Sequence, residues 1–551
     1  MKIQRLLFIM FFFLGCKSQE ISNVNLSPVV TLESKLISVY PMTYEFSAKV
    51  LDQEFDDVKL FWDFGNGIKR FGDEKETEAF SDGQIYSVKV IASDGISNES
   101  EKIISISTEV QEIEINPSIT FQTIEGFGGF GAQNVYWSNG PFTSERFVSD
   151  IVNDLGCTII RDEVPTSFEI INDNDNPYII DLKKFNLSKN IEGHHQPLAV
   201  RLQHFKAMHE AGINKFIASV WSPAPWMKWN NDIDNGTPNN SAPEFNSKPD
   251  TKTNQLKEEF YEEFAESLVA YCKIFKSEIG IDLYALSIQN EPRFSQFYSS
   301  CVYNGEAYKE VLIVVGKRFK KEGLKTLIFG PEDVGWFEAA DNLIKPSIID
   351  TESRQYIDAI ATHGYAFDGI TSVSNDALTW RKMKDWGNPF KKPLWMTETS
   401  GFKNTYDGAI DLAKAMYMSL TYGNVSAWVF WTLSTENIDE YSLMNSKGEK
   451  SKRFYVSKQF YKYIRPGAVR IESTSSPDVL SVAFSNNGQS TVVLINISSF
   501  DRAVKIKGGA EKYRVINTNS FENALEVKGV TKDQLFVVQS MGVTTLFSGE
   551  Y

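Results

Sequence analysis

The sequence predicts a (β/α)8 barrel of the TIM type with an attached β-sandwich, preceded by a separate immunoglobulin-like β-sandwich. Three observations support this. The 551 residues are 42% hydrophobic and 23% charged, as in soluble chains of several domains. From about residue 115 to residue 465, apolar strand-like runs alternate with amphipathic helical patterns. Before and after that stretch, apolar and polar residues alternate one by one between short turns, which is typical of β-sandwiches.

The first sixteen residues have the features of an export signal. Lys2 and Arg5 precede the apolar stretch 6–14, which is too short to span a bilayer and ends in Leu14-Gly15-Cys16. A small residue followed by cysteine resembles a bacterial lipobox, and a plain signal peptide is the alternative. We therefore expect a lipid on Cys16, which would be the chain's membrane contact. We expect the protein to be attached to the outer membrane of a Gram-negative bacterium, at the cell surface or the periplasmic face.

Residues 17–27 are polar and are interpreted as a tether, and residues 28–110 as the first β-sandwich. The stretch 61–67 (FWDFGNG) resembles the WDFGDG turn of polycystic-kidney-disease-type immunoglobulin-like modules, and 86–90 (YSVKV) matches their next core strand. Such modules are usually spacers and sometimes bind glycans. We expect Trp62 to belong to the core.

The barrel is predicted to occupy residues 111–465. Its eight strands are predicted at 126–131, 158–161, 215–221, 283–288, 326–330, 357–363, 394–398 and 426–431. Helices are predicted at 198–211, 255–277, 306–321 and 452–464, where apolar residues recur at spacings of three and four. Single-residue alternation then returns, so residues 466–551 are predicted to form the second β-sandwich.

Two glutamates indicate the chemistry. Glu291 and Glu398 each follow or end an apolar run that reads as a strand, and in such barrels the active site lies at the carboxyl ends of the strands. They are 398 − 291 = 107 residues apart, about three β/α units of a barrel of roughly 250 residues or more, which places them on the fourth and seventh strands. Glycosidic bonds are cleaved by a pair of carboxyls, one protonating the leaving oxygen and the other attacking the anomeric carbon or activating water. The pair therefore predicts a glycosidase.

Six motifs extend this prediction to a family. They are 122–129 (QTIEGFGG), 221–228 (WSPAPWMK), 289–292 (QNEP), 361–365 (ATHGY), 395–398 (WMTE) and 464–467 (IRPG). All resemble glycoside hydrolase family 30 and follow its order over residues 113–550. The resemblance implies a barrel whose attached sandwich includes a strand near residues 113–121. It also implies retention of anomeric configuration, with Glu291 as general acid/base and Glu398 as nucleophile.

Further site residues are expected around the two glutamates. Arg161, at the end of the second strand, is the expected donor to Glu398, and a structural ion pair is the alternative. Asn290 matches the family residue that hydrogen-bonds the sugar 2-hydroxyl. His363 and Tyr365 match the pair that borders the nucleophile.

Aromatic residues are expected to bind the sugar by stacking. Trp431, at the end of the eighth strand, is predicted to form the floor under a sugar ring, because an aromatic face suits the C–H side of a pyranose. Trp226 is a weaker candidate for substrate binding, and so is Trp336.

Composition and spacing argue against other classes. The net charge of −15 and the absence of a Lys/Arg cluster argue against nucleic-acid binding. The remaining cysteines, Cys157, Cys272 and Cys301, are odd in number, so no disulfide framework is expected, and no motif ties a histidine to Cys301 as a nucleophile.

Metal and cofactor chemistry is not expected either. His194 and His195 are adjacent in a loop, and His204 and His209 are five apart, which does not suit a shared zinc on one helical face. We therefore expect no metal and no cofactor.

The sequence thus predicts an exported retaining β-glycosidase that hydrolyses a β-linked polysaccharide, and we expect the enzyme to be a monomer. Xylan or glucuronoxylan is the favoured substrate, and β-1,6-glucan is next. A surface glycan-binding protein that has lost catalysis is the main alternative, and an inverting hydrolase is another.

Overall fold

The computed structural model describes residues 25–39, 41–81, 83–131, 145–189, 196–236, 254–335, 338–365, 377–527 and 534–549. The chain divides into two compact units between Ile106 and Ser107. The predicted export signal with Cys16 lies outside the described residues, as do His194, His195 and Trp336. No helix of the described ranges is long and apolar enough to cross a membrane.

In its described residues the N-terminal unit has seven strands in two sheets, ordered β1-β2-β5 and β4-β3-β6-β7. The strands are β1 (Val29–Val39), β2 (Met42–Leu51), β3 (Lys59–Asp63), β4 (Lys69–Gly72), β5 (Lys75–Phe80), β6 (Ile85–Ser93) and β7 (Ser100–Ser107). Alternate residues of β2 are buried, because a strand turned toward a core exposes every second side chain. Trp62 is fully buried and stacks on Phe64 at 5.8 Å, so its predicted place in the core is confirmed.

The second unit begins with the long strand β8 (Val110–Thr123) and continues into a closed parallel barrel. The barrel strands are β9 (Gly126–Phe130), β10 (Ile159–Val164), β11 (Lys215–Val220), β12 (Ala285–Ser287), β13 (Leu327–Asp333), β14 (Ala359–His363), β15 (Leu394–Glu398) and β16 (Val425–Phe430). A helix follows each strand: α1 (Glu145–Ser149), α2 (Leu198–Glu210), α3 (Tyr261–Ile279), α4 (Gly305–Glu322), α5 (Glu338–Ile349), α6 (Ala377–Gly387), α7 (Tyr406–Thr421) and α8 (Lys452–Tyr461).

All eight predicted barrel strands are confirmed in order. Closure is made by β16 pairing with β9, and Gly128 permits the close approach of β10 on the other side of β9. A Cβ atom at Gly128 would lie 1.7 Å from the carbonyl oxygen of Ile159, which is why this strand is rich in glycine.

One helix boundary was predicted wrongly. The pattern predicted a helix from residue 255, whereas α3 begins at Tyr261. Leu256 instead forms a β-bridge with Lys228, and the amide of Lys257 donates to the carbonyl of Met227. Tertiary pairing therefore takes these residues out of the helix.

The C-terminal strands form one nine-stranded sheet with β8, ordered β24-β23-β26-β21-β20-β19-β8-β22-β25. They follow the short pair β17 (Ser434–Thr435) and β18 (Met444–Asn445) and are β19 (Val469–Ser473), β20 (Val479–Asn486), β21 (Gln489–Asn496), β22 (Arg502–Lys507), β23 (Arg514–Thr518), β24 (Leu525–Val527), β25 (Leu535–Val538) and β26 (Val543–Phe547). Val492 of β21 and Val504 of β22 share one apolar core, so the sheet curls over itself and supplies both layers of the predicted sandwich.

Candidate active site

Glu291 lies just beyond the fourth barrel strand, as predicted. Its backbone is left-handed, with a φ of 45°, and its amide donates to the carbonyl of Glu332 at 3.0 Å. The amide of Asn290 donates to the carbonyl of Val220 at 2.7 Å. Strands on both sides therefore hold the loop that presents this carboxyl.

Glu398 is the last residue of the seventh strand. Its Oε2 accepts a hydrogen bond from Nη1 of Arg161 at 2.6 Å, and its Oε1 accepts one from the hydroxyl of Tyr365 at 3.0 Å. Both oxygens of this carboxyl group therefore accept hydrogen bonds from buried side chains.

Arg161 connects Glu398 to two neighbouring side chains by hydrogen bonds. Its side chain is fully buried on β10, and it also donates to Oδ1 of Asn290 at 2.7 Å and to Oγ of Ser219 at 3.2 Å. Because Oδ1 of Asn290 is thereby occupied, the amide nitrogen is the end of that side chain left to donate to a substrate. The guanidinium also lies over the ring of Trp221, 4.7 Å from its centroid.

His363, at the end of the sixth strand, lies beside the carboxyl groups of Glu291 and Glu398. Its Nδ1 is 2.9 Å from Oε1 of Glu291 and 3.7 Å from Oε1 of Glu398. Burial by itself lowers the pKa of this imidazole, but the charge of Glu398 and the hydrogen bond with Glu291 outweigh burial and raise the pKa of His363 to about 10. The ring is therefore a cation at neutral pH.

Glu332 is a site residue that sequence reasoning missed. It lies near the end of the fifth strand, is fully buried with a left-handed φ of 55°, and places Oε1 3.2 Å from Nη2 of Arg161 and 3.7 Å from Nε2 of His363. Burial opposes ionisation, yet Arg161 and His363 lower the pKa of Glu332 to about 2. The prediction ended that strand at the Gly330-Pro331 pair, whereas β13 continues to Asp333. An acidic residue at a strand end was the signal that could have revealed it.

The charges of the centre balance when Glu291 is protonated. Burial raises the pKa of Glu291 and the charge of Glu398 adds to this rise, although the hydrogen bond from His363 opposes it. Two cations, Arg161 and His363, then face two carboxylates, Glu332 and Glu398, and one neutral acid. Oxygens of Glu291 and Glu398 lie within 4.8 Å of each other.

The two predicted aromatic residues lie in different surroundings. Trp431 is half-buried and packs against Phe130, with ring centroids 4.4 Å apart, and against Trp221 at 6.0 Å. Trp226 donates from its indole nitrogen to the carbonyl of Glu169 at 3.0 Å and packs on Phe260. These contacts fix Trp226 without joining it to Glu291 or Glu398, and its role in substrate binding stays a prediction.

The same atoms bear on metal binding. Ligand atoms of Glu291, His363 and Glu398 are mutually close enough to hold an ion. Nδ1 of His363 is already occupied by its hydrogen bond with Glu291, however, and Arg161 already supplies positive charge to Glu398. The described cysteines are buried and free, and burial raises the pKa of Cys301, which opposes nucleophilic chemistry there.

Comparison with known proteins adds to this geometry. No protein-family model matches the chain. A glucuronoxylanase of Bacillus subtilis (strain 168) is 26% identical over 412 residues, which are 72% of this chain and 81% of that protein. An endo-1,6-β-D-glucanase of Neurospora crassa is 25% identical over 406 residues, 68% of this chain and 76% of that protein.

A solved structure, the glycoside hydrolase family 30 subfamily 8 xylanase of Clostridium acetobutylicum, has the same fold with a TM-score of 0.61 and 21% identity. It is matched over 99% of its length and covers 79% of this chain. This xylanase belongs to the family that the motifs resemble, and the likeness shows that the two chains share a fold. None of these matches identifies the type of the N-terminal module.

Proposed function

We propose that this chain is a retaining β-glycosidase acting on a polysaccharide, with Glu398 as nucleophile and Glu291 as general acid/base. The observation that carries the proposal is the pair of carboxyls within 4.8 Å in opposite environments. Retaining enzymes hold their carboxyls about 5–5.5 Å apart, whereas inverting enzymes need about 6.5–9.5 Å to admit a water. The separation disfavours the inverting alternative.

In the first step, Glu398 attacks the anomeric carbon while the glycosidic C–O bond breaks, and Glu291 transfers its proton to the leaving oxygen. In the second step, Glu291, now a carboxylate, takes a proton from water, and the hydroxide attacks the glycosyl ester and releases Glu398. Nδ2 of Asn290 is the donor to the sugar 2-hydroxyl. Trp431 stacks on the apolar face of the ring.

Xylan or glucuronoxylan is the substrate we propose first, and β-1,6-glucan second. The B. subtilis relative is named a glucuronoxylanase and the N. crassa relative an endo-1,6-β-D-glucanase, and both match most of their own length. Release of reducing ends from these polymers, with products sized over time, ranks the two. The rate on the better polymer should exceed the other by at least about tenfold, which is about 1.4 kcal/mol of transition-state binding.

The remaining proposals concern the rest of the chain. We infer a lipid on Cys16, attachment to the outer membrane of a Gram-negative bacterium and a monomeric enzyme, on the basis of the N-terminal sequence. The N-terminal unit is proposed to be of the polycystic-kidney-disease type from its FWDFGNG turn. Metabolic labelling with a palmitate analogue, lost in Cys16→Ala, tests the anchor.

Chemical rescue tests the catalytic assignment. Glu398→Gly should lose activity, and added azide should restore turnover of an activated β-glycoside because the small anion attacks from the face that the missing carboxylate occupied. The product should be the α-glycosyl azide. The alternative, a catalytically inactive glycan-binding protein, would not turn over the activated glycoside as the wild type or as the variant with azide.

A further inference from the structure

The outer face of the four-stranded sheet in the N-terminal unit contains a groove of about 370 Å³. Its lining includes the apolar residues Phe61, Phe71 and Ile91 and three charged residues, Asp57, Lys59 and Glu99, which we call the rim. These residues belong to β3, β4, β6 and the loops beside them. The catalytic proposal does not use them.

The three apolar residues form one row across three neighbouring strands. Phe61 of β3 is directly opposite Phe71 of β4 on one side and Ile91 of β6 on the other. The two phenylalanine ring centroids are 5.2 Å apart, and Phe71 is 71% exposed. Since strands lie about 4.7–4.9 Å apart, the row is a strip running across the sheet.

The neighbouring row on the same face of the sheet consists of charged residues that form ion pairs. Asp63 pairs with Lys69 at 2.8 Å, and Lys89 pairs with Glu101 at 3.4 Å. The opposite face of the sheet already supplies the core through residues such as Trp62 and Val90. The strip lies outside that core, with Phe71 largely exposed and Phe61 and Ile91 half-buried, so its apolar atoms are accessible to a ligand.

The rim fits a ligand that carries hydroxyl groups. Within the described residues, the side chains of Asp57, Lys59 and Glu99 form no hydrogen bond or ion pair. Two carboxylate acceptors and one ammonium donor therefore remain available to a ligand. Asp94, by contrast, is occupied by Ser97 and Asn25. A polymer of one charge would need a rim of the opposite charge, which this mixture does not provide.

The area and position of the strip narrow the choice of occupant. Three apolar side chains supply far less than the roughly 800 Å² per partner of a stable protein interface. The strip lies on a sheet face, whereas peptides that add a strand need a free edge. Aromatic faces flanked by polar groups suit sugars, which have C–H faces and hydroxyl edges.

We propose that this face is a second polysaccharide-binding site, taking a neutral β-linked chain along the strip of Phe61, Phe71 and Ile91. Only the choice of polymer rests on the proposed function. Such a site would keep the enzyme at an insoluble polymer between catalytic events by raising its effective concentration there.

The test compares the full chain with the double variant F61A/F71A and with F71A alone, which removes only an exposed side chain and should fold normally. F55A is the matched control. Phe55 is 91% exposed in the same unit and is not part of the groove. Migration is measured in gels containing soluble xylan or β-1,6-glucan, and hydrolysis is measured on insoluble polymer and on a short aryl glycoside.

Both groove variants should bind the polymer at least fivefold more weakly and hydrolyse the insoluble form more slowly, with unchanged kcat/KM on the aryl glycoside. F55A should behave as wild type. Equal retention of wild type and groove variants would overturn the proposal, and so would a change in oligomeric state as the only effect. Retention that depends on the phenylalanines without hydrolysis of any polymer would instead count against the proposed function.

Discussion

Two groups of buried carboxyls in the C-terminal unit differ in one respect, the presence of cations. The first group, Glu291, Glu332 and Glu398, surrounds Arg161 and His363 at the proposed active site. The second group, Glu169, Glu263 and Glu266, is at most 7% exposed, and no ion pair of the described residues involves it.

The contrast appears in their ionisation. Burial, together with the nearby carboxyls of Asp173 and Glu263, raises the pKa of Glu169 to about 8. Burial, Asp173 and a hydrogen bond with Glu263 raise the pKa of Glu266 to about 9. Burial is as complete at Glu332, yet two cations lower its pKa to about 2. Neighbouring charge, rather than depth, decides which buried carboxyl is a base and which an acid.

Replacing the catalytic acid should have the largest effect. Glu291→Gln removes the proton donor, and general acid catalysis contributes about 10²–10⁴-fold, so kcat/KM on polysaccharide should fall by about 10³-fold. An aryl glycoside with an acidic leaving group needs no protonation, and its first step should be nearly unchanged. The variant should then accumulate glycosyl-enzyme, visible by mass spectrometry of the intact protein, and azide should release it as the β-glycosyl azide. An equal loss on both substrates would contradict the role of Glu291.

Glu332→Gln breaks the pairing of charge and should have an intermediate effect. With this anion neutral, the pKa of His363 should fall, and the pKa of Glu291 should rise as the imidazole loses charge. We expect kcat/KM to fall about 10–100-fold, since one pKa unit corresponds to about 1.4 kcal/mol, and the basic limb of the pH–rate profile to move upward.

A structural role alone would lower stability without moving that limb, so the pH profile separates the two interpretations of Glu332. Its lowered pKa also predicts a stability effect in the wild type. The stabilisation from Glu332 is complete above its ordinary pKa and is lost as the pH falls from about 4.5 toward 2.

Glu266→Gln should have the smallest effect and the opposite sign. Because the folded-state pKa of Glu266 is raised, its contribution to stability is greatest below about pH 4.5 and is lost as the pH rises toward 9. The neutral amide removes this loss, so Tm should rise by a few degrees at pH 8, or roughly 1–2 kcal/mol, and change little at pH 4.5. Activity should be unchanged. The contrast between the two groups would be contradicted if the change in Tm relative to the wild type were smaller at pH 8 than at pH 4.5.

Sequence reasoning located the parts of this centre that depend on local pattern. Glu291 and Glu398 were identified because apolar runs mark strand ends, and Arg161 because the second strand ends in a cation. Glu332 was missed because the Gly-Pro pair before it reads as a strand terminator, although the barrel bends the strand there and continues.

Pairing between strands was the second feature that could not be predicted from the sequence. The row of Phe61 and Phe71 depends on the register of β3 against β4, and alternation along one strand gives the face of a residue but not its neighbour. The second group of carboxyls depends on a loop meeting α3, a contact between segments about a hundred residues apart in sequence that no local pattern indicates.

The place of β8 has a consequence for the order in which the chain is made. The amide of Glu114 donates to the hydroxyl of Thr474, 360 positions later, and β8 pairs with β19 and β22 on either side. At about 5–20 residues per second, a ribosome needs roughly 20–70 s to supply these partners. Throughout that interval both edges of β8 lack these partners, and an unpaired strand edge can pair with another chain and aggregate.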